Sequence, residues 1–125
     1  MTDSQEESLY TRLGGYDAIA AVTDEFLERL MSDPTIGYYW AGDSKDTKRR
    51  DRQLIVDFLC EATGGPVFYT GRDMKTSHHG LGISEHDYDI LMEHCVATLD
   101  KFEVPEMEKS EVCAFLNGLR ADIVD

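Results

Sequence analysis

The sequence predicts an all-α fold. Three observations carry that prediction: apolar residues recur at three- and four-residue steps in several stretches, glycine and proline stops divide those stretches, and none alternates with the period of two that a half-buried strand requires. With 125 residues, 14.1 kDa and 42% hydrophobic residues, the chain can form one domain with its own core. It contains no internal repeat or low-complexity tract. No segment approaches the roughly 20 apolar residues of a membrane span. The polar, acidic start, Met1 to Glu7, lacks the charged-then-apolar pattern of a secretory signal. The expectation is a cytoplasmic protein with a disordered tail over residues 1–7 and a single domain over residues 8–125.

The first element is a short helix, Leu9 to Leu13, stopped by Gly14-Gly15. A longer helix follows from Asp17, placed to cap it, to Met31, with Ile19, Val22, Phe26, Leu27 and Leu30 on one face. Ser32-Asp33-Pro34 ends it. Tyr38-Tyr39-Trp40 then stand in a loop, three aromatics in a row where an ordinary solvated turn would have polar residues, so they are expected to cover apolar surface. Residues 48–63 form the next helix, with Leu54, Ile55, Phe58, Leu59 and Ala62 on its buried stripe. Ser84-Glu85-His86-Asp87 is a helix-start signature, a serine cap with an acid three residues on, leading into Tyr88, Leu91, Cys95 and Leu99. Pro105 suits a first helical position, and Val112, Phe115, Leu116, Leu119 and Ile123 carry the last helix.

Between the helix ending at Gly64-Gly65-Pro66 and the one starting at Ser84 lies an irregular stretch carrying two of the four histidines. Met74 to His79 is about one and a half turns if helical. The net charge of −13 argues against a nucleic-acid or anionic-membrane partner, because both need a basic footprint. Local charge runs the other way. Of twelve lysines and arginines, seven fall between Lys45 and Lys75, around this stretch and the helix before it. They read either as a cationic rim for an anionic group or as a solvated helix face.

Several chemistries fail on spacing. Cys60, Cys95 and Cys113 sit on apolar stripes without a CxxC pair, which favours buried thiols over a disulfide frame, a zinc site or a Cys–His nucleophile. Glu85-His86 and Glu93-His94 are adjacent rather than spaced for a metal on facing helices. His78 and His79 diverge by about 100° on a helix, so at most one of them serves a given site. A single imidazole beside apolar helices suits a cofactor that fills the other coordination positions itself, and haem does so. Tyr38 to Trp40 and the stripe of residues 54–62 would then form its walls, with the basic cluster near its carboxylates.

Taken together, Leu9-Tyr10 with Leu13-Gly14-Gly15, Asp33-Pro34, Phe58-Leu59 before Gly64-Gly65-Pro66, then Tyr69-Thr70-Gly71-Arg72, Met74, His78 and Gly80 resemble the group I truncated haemoglobins. The resemblance spans residues 8–124 and implies a two-over-two helical sandwich around haem b. It implies His78 as the proximal iron ligand, four residues after Met74, with Met74, Leu81, Leu91, Val112 and Leu116 on the proximal side and rear of the haem. Tyr69 and Lys75 flank that histidine and join Phe58 and Leu59 in the expected lining. The aromatic that packs on the haem falls on Trp40 or Tyr39.

The distal side departs from the family pattern. Where many members carry a tyrosine after the phenylalanine of the second helix, Leu27 follows Phe26. Counting back from Gly64-Gly65 places Asp51, Leu54 and Ile55 at the usual distal positions. Residues 48–63 contain no histidine, so an open or water-bound iron is expected. Remaining distal candidates are the Trp40 N–H, a hydroxyl of Tyr38 or Tyr39, Gln53 and an inward arginine. A dry pocket would release dioxygen faster than a tyrosine-bearing one. The leading function is reversible binding of dioxygen, carbon monoxide and nitric oxide, with conversion of nitric oxide to nitrate if an external reductase supplies electrons. The alternatives are a haem-based sensor and a cofactor-free interaction module.

Overall fold

The computed structural model describes residues 7–125, so the tail expectation lies outside the described residues except at Glu7. Seven α-helices and one 3₁₀ turn occupy that span: α1 (Leu9–Leu13), α2 (Tyr16–Ser32), the 3₁₀ turn (Gly37–Trp40), α3 (Lys45–Ala62), α4 (Met74–His78), α5 (Glu85–Lys101), α6 (Glu106–Gly118) and α7 (Arg120–Ile123). Among the described residues there is no strand, and no helix is long and apolar enough to cross a membrane. Helix α2 packs on α3, α5 packs on α6, and α2 crosses to α5, giving two layers of two long helices.

Two core clusters hold the layers together. One joins Ile19 and Ala20 of α2 to Val56 and Cys60 of α3, the last two with no exposed surface. The other joins Leu27 and Leu30 to Ile36, at the far end of α2. The glycine motifs meet at one corner. The Tyr10 N–H donates to the Thr63 carbonyl at 2.8 Å, and the Tyr10 ring lies where a side chain at Gly65 would have to be. Gly14, at φ 109°, closes α1 in the left-handed conformation that L side chains resist.

Several sequence expectations are adjusted. Helix α2 starts at Tyr16 with Gly15 at the cap position, and Asp17 lies in its first turn, where a carboxylate favours the helix dipole without capping a backbone N–H. Helix α3 begins at Lys45, three residues early, because the Ser44 hydroxyl accepts the Thr47 N–H at 3.1 Å. The last helix is split: Gly118 and Leu119 end α6, and α7 forms a separate turn. The aromatic run is a 3₁₀ turn that covers the second core only with Tyr39 and Trp40, while Tyr38 stacks on Tyr39 and stays 63% exposed. The Ser84 cap forms as the sequence indicates, accepting the Asp87 N–H at 3.0 Å.

Candidate functional site

Helix α4 is five residues long with none buried, too short to hold itself by propensity, so its caps define it. The Asp73 carboxylate accepts the Thr76 N–H at 2.7 Å, and the hydrogen bonds from Thr76 hold that carboxyl below the ordinary aspartate range. At its other end His78 Nδ1 lies 2.8 Å from the Met74 carbonyl oxygen and 3.0 Å from Ser77 Oγ. A carbonyl oxygen only accepts, so Nδ1 carries the hydrogen, and in the neutral imidazole Nε2 then keeps its lone pair. His79 leaves the helix in an extended conformation and is exposed. Asp125 ties down the loop that follows, its carboxylate accepting the Gly82 N–H at 2.7 Å and its own N–H donating to the Ile83 carbonyl at 2.9 Å.

The other candidates separate into two groups. Phe26, Tyr39, Trp40, Ile55 and Leu91 pack against the buried cluster of Leu27, Leu30 and Ile36, so with Leu27 six of the predicted lining residues converge on the second core. Phe58, one turn beyond Ile55 on the same α3 stripe, meets the edge of Tyr69 at 5.2 Å and lies 5.9 Å from Phe115. Asp51 and Leu54 precede it on that stripe, half-buried. Leu59 and Val112 line an apolar cavity of about 210 Å³ with Leu9, Leu13, Ile19 and Val22, and Phe115 borders it too. Leu116 is half-buried and its carbonyl accepts the Tyr88 hydroxyl at 2.5 Å. Leu81 is 50% exposed and Lys75 exposed, both at the rim.

Most polar distal candidates are already committed. The Tyr39 hydroxyl donates to Asp87 Oδ2 at 2.7 Å, and burial pushes its pKa above the usual phenol value. Gln53 Nε2 donates to Tyr16 Oη at 2.7 Å and to Asp57 at 3.0 Å, so this amide faces the seam with α2. Arg52 forks onto Asp24 at 2.8 and 3.0 Å. Among the described residues the Trp40 N–H and the Asp51 carboxyl have no hydrogen-bond partner, and burial, helped by Asp43, raises the Asp51 pKa. His94 Nε2 lies 2.7 Å from Asp33 Oδ2, which makes His94 a bracing contact between α5 and the end of α2. Two wall residues escaped the sequence reading of the site. Phe115 is read from the sequence as part of a helix stripe alone and Ile90 is not singled out, and only the packing shows that they reach Phe58 and the Leu27 cluster.

Residues 8–125 match the bacterial-like globin family. A group 1 truncated haemoglobin of Mycolicibacterium paratuberculosis is 30% identical over 96% of this chain and 86% of its own length. One from a Synechocystis species is 36% identical over 86% of this chain and 87% of its own. The chain belongs to the group 1 truncated haemoglobins. Solved structures agree on the fold of the family. The truncated haemoglobin of Tetrahymena pyriformis in its Fe(III) form superposes with a TM-score of 0.85 at 24% identity, covering 94% of this chain and 98% of that one. The 2/2 haemoglobin of a Synechococcus species, solved in the cyanomet state with covalently attached haem, reaches 0.86 at 24% identity, with the same coverage.

Truncated-haemoglobin membership makes haem the group to test against this donor set. Among the described residues no three His, Cys, Asp or Glu side chains gather to hold a bare metal ion. Haem needs no such gathering, because its four ring nitrogens occupy the iron's equatorial positions and one axial imidazole completes the attachment. His78 offers one imidazole with its tautomer fixed by Met74, and Ile55, Phe58, Leu91, Phe115 and Trp40 offer half-buried apolar and aromatic surface. The residues present fit the group.

Proposed function

We propose that this chain binds haem b through His78 Nε2 and takes dioxygen, carbon monoxide or nitric oxide on the opposite side, next to Leu27, Trp40 and Ile55. The observation that carries the reading is the His78 Nδ1 to Met74 carbonyl hydrogen bond of 2.8 Å, which leaves Nε2 as the free donor in a member of the truncated haemoglobins. When bound, haem supplies an iron with one exchangeable axial position and two accessible oxidation states. The protein's part is positional. Met74 fixes the imidazole, Phe58, Tyr69 and Phe115 supply flat apolar surface, and Leu27 and Ile55 keep the ligand side dry. With the Tyr39 hydroxyl and the Gln53 amide committed elsewhere, the Trp40 N–H and the Asp51 carboxyl are the polar groups we assign to meet a ligand, ahead of the Tyr38 hydroxyl, which is on a 63% exposed side chain.

The finer reading is conversion of nitric oxide and dioxygen to nitrate, which consumes one electron per turn. The sequence carries no flavin or nicotinamide fingerprint, so that electron comes from outside the chain. The test is the visible spectrum of the purified chain with one equivalent of hemin, ferric, then reduced, then under carbon monoxide. A sharp Soret band that shifts with carbon monoxide, and that is lost in His78→Ala and recovered with added imidazole, is expected. No stoichiometric hemin binding by the native chain would refute the reading.

A further inference from the structure

Most cations of this chain are neutralised. Arg12, Arg29, Lys101, Lys109 and Arg120 each contact one or more carboxylates, as expected where 25 acidic residues surround 12 basic ones. The first two turns of α3 differ. Lys45, Lys48, Arg49, Arg50 and Arg52 line an open depression of about 770 Å³ together with Asp24 and Asp46, which pair with Arg52 and Arg49; among the described residues Lys45, Lys48 and Arg50 form no salt bridge, as is also true of Arg72 and Lys75. Lys45, Arg49 and Arg50 are exposed. Helix stability does not account for them, because the N-terminal end of a helix is its positive pole and repels added positive charge. A solvated helix face needs charge of either sign, and here five cations outnumber the two carboxylates that share the depression, the reverse of the balance over the whole chain. A net positive patch, only partly compensated by Asp24 and Asp46, at the electrostatically wrong end of a helix on a protein of net charge −13, is a feature that calls for an anionic partner.

The position of the patch narrows the partner. Residues 45–52 run straight into the Asp51, Leu54, Ile55 and Phe58 stripe, at about 1.5 Å of helix rise per residue, so a body resting on the patch stands within two or three turns of the proposed haem. A long nucleic acid would be repelled along most of this acidic surface. A compact acidic protein touching only the patch would not, since charges beyond about 8 Å are screened at physiological salt. We infer that the exposed cations at the start of α3 are the docking surface for an acidic one-electron carrier protein that reduces the haem iron. The inference rests on the haem reading above. The step is an outer-sphere transfer: ferric iron gains one electron, the carrier loses one, and no bond forms or breaks.

The experiment uses the hemin-loaded chain and a reduced, acidic plant-type [2Fe–2S] ferredoxin as the probe, mixed by stopped flow, with Lys45→Glu/Arg49→Glu/Arg50→Glu beside the native chain. Photoreduced 5-deazariboflavin, a small uncharged reductant, serves as the control. The native second-order rate should fall steeply between about 0.01 M and about 0.15 M salt, and the triple variant should be slower by about tenfold or more at low salt with its salt dependence flattened or reversed. Its Soret band checks haem occupancy: loss of the band would assign these cations to the haem carboxylates and overturn the docking surface, and with the band retained its reduction by the deazaflavin should match the native chain. If the ferredoxin reduces both proteins at one rate, or fails to reduce either while the deazaflavin succeeds, the docking surface is refuted and the haem reading survives. Absence of a Soret band in the native chain removes both. A Lys45→Gln/Arg50→Gln variant with an intermediate rate would tie the effect to charge, and a native rate in that variant together with a slow triple variant would assign the loss to the introduced acids and overturn the proposal.

Discussion

The seam between α2 and α3 and the segment around α4 are built on opposite principles. In the seam, Ile19, Ala20, Val56 and Cys60 are buried against one another, and even the polar Thr23 is satisfied inside it, its hydroxyl donating to the Ile19 carbonyl at 2.8 Å. In α4 no residue is buried, and order comes from its packing on the short helix α7 and from single contacts: Asp73 to Thr76, His78 to Met74, and Asp125 to Gly82. Long helices with continuous apolar stripes stabilise each other whatever is bound between them. A five-residue helix has no such reserve, so its stability is coupled to whatever its one imidazole holds.

The sharpest way to break that comparison is at His78. In His78→Ala, stoichiometric hemin attachment and the carbon monoxide shift of the Soret band should be lost, while far-ultraviolet circular dichroism of the hemin-free chain stays unchanged, because the seam does not involve α4. A hemin-free variant that loses its helix signal would show that the two regions are not separable. The reverse substitution lies in the core beside the seam. Leu30, 2% exposed and packed on Leu27 and Ile36, should cost about 2–5 kcal/mol as Leu30→Ala. Thermal or urea unfolding should show that loss with and without hemin. A loss confined to the hemin-loaded form would mean that this core depends on the ligand.

The same contrast decides what could be read from the sequence. Periodicity announces α2, α3, α5 and α6, since burial along a helix leaves a three- and four-residue signature, and the Ser84 cap announces where α5 starts. It cannot separate two sides of one helix that both face apolar surface. Leu59 was read with Phe58 as one wall, yet they are about 100° apart on α3, and Leu59 lines the cavity beside α1 and α2. Gln53 was open as a ligand-side donor because its partner, Tyr16, is 37 positions away in sequence. Phe115 was hidden for the same reason. The His78 segment carried no periodic signal at all; it was legible through its stops and through the resemblance in the order of Met74, His78 and Gly80.

A smaller effect tests the ligand side of the comparison. By the family resemblance Leu27 stands where many members carry a tyrosine, and the Tyr39 hydroxyl packed on its cluster is committed to Asp87. Leu27→Tyr should slow dioxygen release by about fivefold, the equivalent of one hydrogen bond of about 1 kcal/mol, and leave carbon monoxide release nearly unchanged. Flash photolysis and rapid mixing on the reduced, hemin-loaded chain measure both. Equal slowing of both gases would indicate a steric gate instead of a donor.

The smallest effect is expected at Asp73, and its pH dependence has a definite sign. Hydrogen bonds from Thr76 depress the folded-state pKa of this carboxyl below its unfolded value of about 3.9. A depressed acid contributes stability that is fully present above the unfolded value and is lost as pH falls through the folded one. Protonation therefore weakens the cap of α4 only below about pH 4, and hemin transfer from the native chain to excess apomyoglobin should accelerate there. Asp73→Asn keeps a neutral acceptor for the Thr76 N–H, so its transfer rate at neutral pH should rise by no more than a few-fold and its acid step should shrink. Asp87 and Glu111 are also held below their ordinary values, by Tyr39 and Arg12, and they titrate in the same range. The Asn variant separates them from Asp73. If its acid step equals that of the native chain, the loss of hemin in acid arises in the carboxylates that brace the long helices, and the proximal segment is not the weaker of the two regions.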